Sequence, residues 1–338
     1  MRKIKLGRTG LYATEVSFGA LPIQRISRND ARELLRFAYE RGVNFFDTAN
    51  FYTDSEEKIG YALSDVRHDI IIATKSATDS VEFMQKNLEQ SLRMMKTDYI
   101  DIFQLHNPST LPNDDILNFL YKAQRDGKIR FIGFTNHKIE LANRALDMNV
   151  FDTMQFPFSL LAAQCDIDLV NRCKKEDVGF IAMKAMSGGL ITDPEATFAY
   201  ISRFDNVVPI FGVQKKSELS EFLGYAENPP VFDEAMQKRV DKERSELSGD
   251  FCRGCGYCQP CPVGIDIWQC ARISLMIGRA PSAPWVSDKW RAEMDKIKNC
   301  KDCGLCKSRC PYGLDTPALL KRELSRYDKL YEELKGNK

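Results

Sequence analysis

The sequence has 338 residues, 43% hydrophobic and 28% charged, with 48 Lys and Arg against 47 Asp and Glu. That balance gives no basic field for nucleic acid or an anionic membrane, and no apolar run reaches the roughly 20 residues needed to span a bilayer. The start, Met-Arg-Lys-Ile-Lys-Leu-Gly, leads into Gly-Arg-Thr-Gly rather than an apolar core, so no signal peptide and a cytoplasmic location are expected.

Taken in chain order, short apolar runs alternate with amphipathic stretches. The runs are Val16–Phe18, Val43–Phe46, Ile70–Ala73, Ile100–Phe103, Ile129–Ile132, Thr153–Phe156, Gly179–Ala182 and Val207–Ile210. Segments such as Ala31 to Arg41 and Glu82 to Met95 have helical periodicity between them. Eight such units over about 225 residues predict an α/β (β/α)8 TIM barrel. An open doubly wound sheet is the alternative. It would favour a Gly-x-Gly-x-x-Gly turn after the first strand, and none is present. The expected division is a barrel over 1–228, a helical linker over 229–249 and a small, mainly helical domain with a C-terminal helix over 250–338.

A barrel carries its chemistry at the C-terminal ends of its strands. Asp47 ends the second strand and is followed by Thr48-Ala49-Asn50-Phe51-Tyr52. Lys75 ends the third and His106 the fourth. Singly, each has a plain structural explanation: an Asp–Lys pair is usually an ion pair, and a lone His is often a satisfied structural residue.

The same residues carry a family resemblance. Phe46-Asp47-Thr48-Ala49, Tyr52, Ser55-Glu56, Gly60, Ala73-Thr74-Lys75, Gln104-Leu105-His106 and Gly127 to His137 resemble the aldo-keto reductases. Leu6-Gly7-Arg8-Thr9-Gly10-Leu11 is similar to the hairpin that closes the barrel floor in that family. The resemblance covers residues 1 to about 225, and the whole chain resembles the subgroup with a C-terminal ferredoxin-like module. It implies an oxidoreductase that interconverts a carbonyl and an alcohol. Tyr52 would be the general acid, with a free phenol pKa of about 10. Lys75 would lower that value, Asp47 would anchor the lysine, and His106 would orient the carbonyl oxygen. Phe18, Phe51, Tyr52 and Phe158 are expected to give a partly aromatic pocket.

The resemblance also implies contacts to NADP(H) or NAD(H). Thr135, Asn136 and Gln155 would face the carboxamide, Met183 the ring, and Gly212 and Lys215 the phosphate end. The sequence departs from the family after the eighth strand. Glu218 stands where an arginine or glutamine is usual, and Phe222 where an asparagine is usual. A carboxylate repels a phosphate, and Phe cannot hydrogen-bond adenine.

Eleven cysteines in a chain with no recognisable export signal read as metal ligands rather than disulfides. Cys252, Cys255, Cys258 and Cys261-Pro262 form one run. Cys300, Cys303, Cys306 and Cys310-Pro311 form the second. Paired C-x2-C motifs also suit zinc, but three cysteines at consecutive x2 spacing, twice, favour [4Fe–4S] clusters. The runs resemble those of two-cluster ferredoxins, in which the remote Cys-Pro ligates the other cluster. That resemblance implies Cys252, Cys255, Cys258 and Cys310 for one cluster and Cys300, Cys303, Cys306 and Cys261 for the other. The first run closes after two residues rather than three, which leaves the pairing open on spacing alone. Cys270 reads as a small buried hydrophobe. The spacer from Ile265 to Lys298 predicts two helical segments around Ala280–Pro284.

The leading expectation is therefore a carbonyl/alcohol oxidoreductase with a small-molecule substrate, a ferredoxin-type electron partner, and clusters that transfer electrons or serve structure. Two alternatives stand beside it. One is a nicotinamide-independent reductase fed by the clusters, and the other is a redox-sensing scaffold without enzymatic activity.

Overall fold

Eight parallel strands close into a barrel, each pairing with its neighbour in chain order and the last with the first. They are β3 (Ser17–Gly19), β4 (Phe45–Asp47), β5 (Ile71–Ser76), β6 (Ile100–His106), β7 (Ile129–Thr135), β8 (Thr153–Pro157), β9 (Gly179–Met183) and β10 (Val207–Gly212). This computed structural model describes residues 1–279 and 284–336. Ahead of the barrel, β1 (Lys3–Lys5) and β2 (Tyr12–Thr14) form an antiparallel hairpin. Its Ile4, Leu6 and Ala13 pack with the barrel-interior residues Phe45, Ile71, Ile102, Ile181 and Val208. Gly7 lets the hairpin close on the backbone at 177–179: it has φ +48°, and a β-carbon there would overlap that backbone.

Helices alternate with the strands. They include α1 (Arg28–Glu40), α2 (Ser55–Leu63), α3 (Val81–Met95), α4 (Asp114–Arg125), α5 (Ile139–Asp147), α6 (Gln164–Lys175), α7 (Pro194–Ile201) and α8 (Lys216–Glu227). Side-chain oxygens cap several of them, as Ser27, Ser80 and Asn113 do at the starts of α1, α3 and α4. The eight expected strands and the two expected helices are present. The aromatic expectation is corrected in part. Phe18 packs on Phe46, and Phe158 on Phe180, all buried; Phe158 also meets the half-buried Phe204. Phe51 is 78% exposed.

The chain folds as two compact units, Met1–Ala185 with Glu195–Gln237, and Met186–Pro194 with Lys238–Lys338. The short segment Met186–Pro194 thus goes with the C-terminal unit. Thr192 Oγ1 donates to Glu243, and Arg239 pairs with Asp193 at 2.6 Å. Glu243 and Arg239 lie on α9 (Glu234–Glu246). The remaining helices are α10 (Ile267–Cys270), α11 (Ile273–Arg279), α12 (Asp288–Asp295), α13 (Leu305–Ser308) and the long α14 (Thr316–Gly336). Helices α11 and α12 flank the expected Ala280–Pro284 break, of which 280–283 lie outside the described residues. The core of this unit joins Ile265, Ile273, Met294, Leu320 and Tyr327 to Cys252, Cys258, Cys270 and Cys306. Among the described residues, no helix is long and apolar enough to cross a membrane.

Candidate functional site

The register of the barrel sets six polar positions on adjacent strands. Asp47 pairs with Ala73, Lys75 with Gln104, His106 with Thr135, and Thr135 with Gln155. Inward-facing positions alternate along a strand, so Gln104 and His106 share a face.

Lys75 Nζ donates to both carboxylate oxygens of Asp47 at 2.7 Å and to Thr48 O at 2.6 Å. A neutral amine has two protons to donate and an ammonium has three. Three acceptors match the three protons of the ammonium form. Lys75 and Asp47 are 1% and 2% exposed. Burial pulls the amine of Lys75 down and pushes the carboxyl of Asp47 up, and each partner opposes the other's shift.

A polar chain runs on from the pair. Gln155 Nε2 lies 3.4 Å from Asp47 Oδ2, Gln104 Nε2 donates to Gln155 Oε1 at 2.8 Å, and Thr135 Oγ1 donates to Gln104 Oε1 at 2.8 Å.

Tyr52 sits in the β4–α2 loop between two turns, where its N–H donates to Ala49 O and its carbonyl accepts from Ser55 N. Thr48 and Ser55 hydroxyls meet across the loop at 2.9 Å. The Tyr52 ring centre lies 5.6 Å from Lys75 Nζ and 5.9 Å from the His106 ring, edge to face. His106 Nδ1 is buried with no hydrogen-bond partner among the described residues. Burial, then the charge of Lys75, lowers the His106 imidazole to about 3. It is neutral near pH 7, with one donor and one acceptor nitrogen. Tyr52, Lys75, Asp47 and His106 therefore meet at one end of the barrel.

The expected nicotinamide contacts divide. Thr135 and Gln155 lie in the buried polar chain beside the four. Asn136 is spent on loop backbone: Nδ2 donates to Pro108 O of the β6–α4 loop, and Oδ1 accepts from the His137 and Lys138 amides of its own loop. Met183 packs into the barrel interior with Ile181 and Ile210. Gly212 and Lys215 are exposed, at the end of β10 and the N-cap of α8. Glu218 accepts the amides of Gln214 at 2.7 Å and Lys215 at 3.2 Å. Phe222 is buried and stacks on Phe211, with centroids 3.9 Å apart. A phosphate at a helix N-terminus would use those amides. Here an internal carboxylate accepts the two amides just ahead of α8 and puts a negative charge at its start, which disfavours a phosphate there.

Two residues beyond the expected set belong to this region. Gln104 bridges Thr135 and Gln155, and its place two residues before His106 was the available signal. Glu56 is buried against Thr74 Oγ1 (2.5 Å) and Asn50 Nδ2 (3.4 Å), and burial raises its carboxyl.

In the C-terminal unit the cysteines line two cavities. One, of about 20 Å³, is lined by Cys252, Cys255, Cys258 and Cys310. The other, of about 60 Å³, is lined by Cys261, Cys300, Cys303 and Cys306, with Cys258 on the wall between. Among the described residues, no three His, Cys, Asp or Glu side chains close on one point as a single metal ion needs. The sets instead surround two spaces, as thiolates do around a multi-iron core. All eight are free thiols. Burial raises the Cys252 thiol to about 11, and neighbouring Cys255 and Cys310 add to the shift while Arg272 opposes it. A bound metal would reverse that preference. The donor sets therefore fit four-thiolate clusters. Cys270 is fully buried, and the walls of both cavities are formed without it.

Comparison with known proteins is consistent with both halves. The profile of the Aldo/keto reductase family matches residues 15–207, and that of a 4Fe-4S dicluster domain matches 251–315. L-galactose dehydrogenase of Arabidopsis thaliana is 32% identical over 57% of this chain and 69% of its own length. The oxidoreductase YqkF of Bacillus subtilis is 28% identical over 57% and 67%. Among solved structures, aldo-keto reductase AKR11C1 of Bacillus halodurans superposes with a TM-score of 0.66 at 20% identity, covering 72% of this chain and 96% of that one. An aldo/keto reductase of Klebsiella pneumoniae, solved with NADP and acetate, gives 0.63 at 20% identity, covering 72% and 95%. At these identities the structural agreement concerns the fold.

Proposed function

The chain belongs to the aldo/keto reductase family, and we propose that it interconverts a carbonyl and an alcohol at Tyr52, Lys75, Asp47 and His106. The observation that carries this reading is the three-acceptor cradle of Lys75, with its ammonium 5.6 Å from the Tyr52 ring. In the reducing direction a small carbonyl compound would take a hydride at carbon, supplied by NAD(P)H in the leading reading, and one proton at oxygen. Tyr52 Oη gives one proton to the developing alkoxide. The Lys75 ammonium stabilises the phenolate left behind, and Asp47 holds that ammonium in place. Neutral His106 donates a hydrogen bond to the carbonyl oxygen and orients it. Gln104 and Gln155 keep Asp47 oriented.

Cys252, Cys255, Cys258 and Cys310 would hold one [4Fe–4S] cluster, and Cys261, Cys300, Cys303 and Cys306 a second. Such clusters supply single-electron transfer and hold short cysteine loops together. A ferredoxin-type protein is the corresponding electron partner.

A second reading concerns the source of the electrons. Glu218 occupies the amides of the β10–α8 turn and Phe222 is spent on Phe211. Both favour a reductase that does not depend on NADP(H). Anaerobic titration with NADPH and NADH, followed by carbonyl reduction with each and with a chemically reduced sample, tests both readings. Tight NADPH binding with turnover removes the nicotinamide-independent one. No alcohol formation from any carbonyl with any reductant removes the first.

A further inference from the structure

The two thiol-lined cavities do not share the same electrostatic surroundings. Against the loop of Cys252 and Cys255 stands Arg272, only 4% exposed. Its Nη1 donates to Gly188 O and its Nη2 to Gln269 Oε1, both at 2.9 Å. The Trp268 ring lies 5.3 Å from its Cζ. Two glycines make the room. Gly254 lies between the first two cysteines at φ +65°, and a β-carbon there would collide with the guanidinium. Gly188, at φ +69°, would bring a β-carbon to 3.0 Å from Nη1. Gly254 N in turn donates to Cys252 Sγ at 3.4 Å. The cation is thus packed directly against the loop that carries Cys252 and Cys255. Arg253 lines the same cavity, with its guanidinium 4.7 Å from the Phe251 and Tyr312 rings.

The cations around the other cavity are exposed, and half-buried Asp266, between Ile265 and Ile267 of its wall, feels Arg272 as well. Lys301 lies on its wall and is solvated. Arg309 is exposed and donates to Pro260 O. Asp302 accepts from Cys300 Sγ at 4.0 Å and pairs with exposed Lys321 at 2.7 Å.

A buried cation stabilises the more negative of two redox states, whereas water and salt screen an exposed one. Surroundings of this kind set cluster potentials. We propose that Arg272 sets the potential of the cluster held by Cys252, Cys255, Cys258 and Cys310 and makes it the more easily reduced of the two. This rests on the two-cluster reading above. Each reduction adds one electron from a low-potential one-electron donor, dithionite in the test. The cluster gains one negative charge, and no bond forms or breaks.

The test is an anaerobic redox titration of the full-length holoprotein, followed by electron paramagnetic resonance, with iron and sulfide analysis of each sample. The wild type shows two separate potentials. In Arg272→Gln the more positive one moves negative and the other stays. Arg272→Lys keeps the charge and stays near wild type, and exposed Arg309→Gln moves neither. Cys255→Ser alters the signal that appears at the more positive potential. Iron for fewer than two clusters in the wild type removes the two-cluster reading itself. Two full clusters with coincident potentials, or an unmoved upper potential in iron-replete Arg272→Gln, overturn the role of Arg272. Should Arg272→Gln fail to hold iron, Cys255→Ser decides: an altered signal at the lower potential overturns the proposal, and one at the upper potential upholds it.

Discussion

Lys75 Nζ lies 2.7 Å from both carboxylate oxygens of Asp47, with both side chains out of contact with solvent. A buried pair of this kind adds little net stability over an apolar pair, but removing one member strands the other charge. Asp47→Leu and Lys75→Met should each destabilise the barrel by about 3–5 kcal/mol. Asp47→Leu combined with Lys75→Met should cost less than the sum of the two single losses. Urea unfolding of the single and double variants measures this. Activity should be lost in all of them, because the double variant restores packing and not the ammonium. Additive losses would show that the pair is not energetically coupled.

Acid should weaken the fold through His106. Its folded value is about 3, against an ordinary 6.5. Above 6.5 both folded and unfolded forms are neutral and the group is without effect. Between 6.5 and 3 the unfolded chain takes up a proton that the folded barrel refuses, so stability falls as pH falls through that window. Buried His137, also held well below its usual value, acts in the same direction. His106→Asn should flatten the dependence of the urea midpoint on pH between 7 and 4.5 without abolishing it. An unchanged slope would show that His106 is protonated in the folded state.

Glu218 should disfavour a phosphate at the start of α8. Glu218→Gln keeps an acceptor for the Gln214 and Lys215 amides and removes the charge. A charge at a helix N-terminus is worth about 0.3–1 kcal/mol, so NADPH should bind roughly two- to fivefold more tightly to the variant. NADH, without the 2′-phosphate, should gain less. Calorimetric titration of both cofactors against both proteins checks this, and equal gains would place the phosphate elsewhere.

How much of this was legible in the sequence depends on whether the signal is local. The eight strands are short apolar runs at regular spacing, and Asp47, Lys75 and His106 announce themselves by standing at their ends. The cysteine runs carry their own spacing; each crossed set implied by resemblance lies on the wall of one cavity, with Cys258 lining both. The partners of Gln104 and Glu218 were not legible, because each depends on which loop or strand lies opposite. Glu218 looked like an obstacle to phosphate, but that it accepts the Gln214 and Lys215 amides is a matter of turn geometry. The attachment of Met186–Pro194 to the C-terminal unit likewise rests on bonds between residues distant in sequence, from Gly188, Thr192 and Asp193 to Arg272, Glu243 and Arg239. Phe158 read as a pocket residue because it follows a strand end, yet it turns into the ring cluster with Phe180 and Phe204.

The central claim is that Tyr52 gives the proton that turns a carbonyl into an alcohol. The most direct measurement compares wild type with Tyr52→Phe, both anaerobic and matched in iron content, for alcohol formation from a carbonyl panel with NADPH, NADH or dithionite as reductant. The account predicts that Tyr52→Phe loses about 10²–10⁴ of the rate with every reductant that works, while its cluster spectra and unfolding midpoint stay near wild type. Equal rates in the two proteins would contradict it.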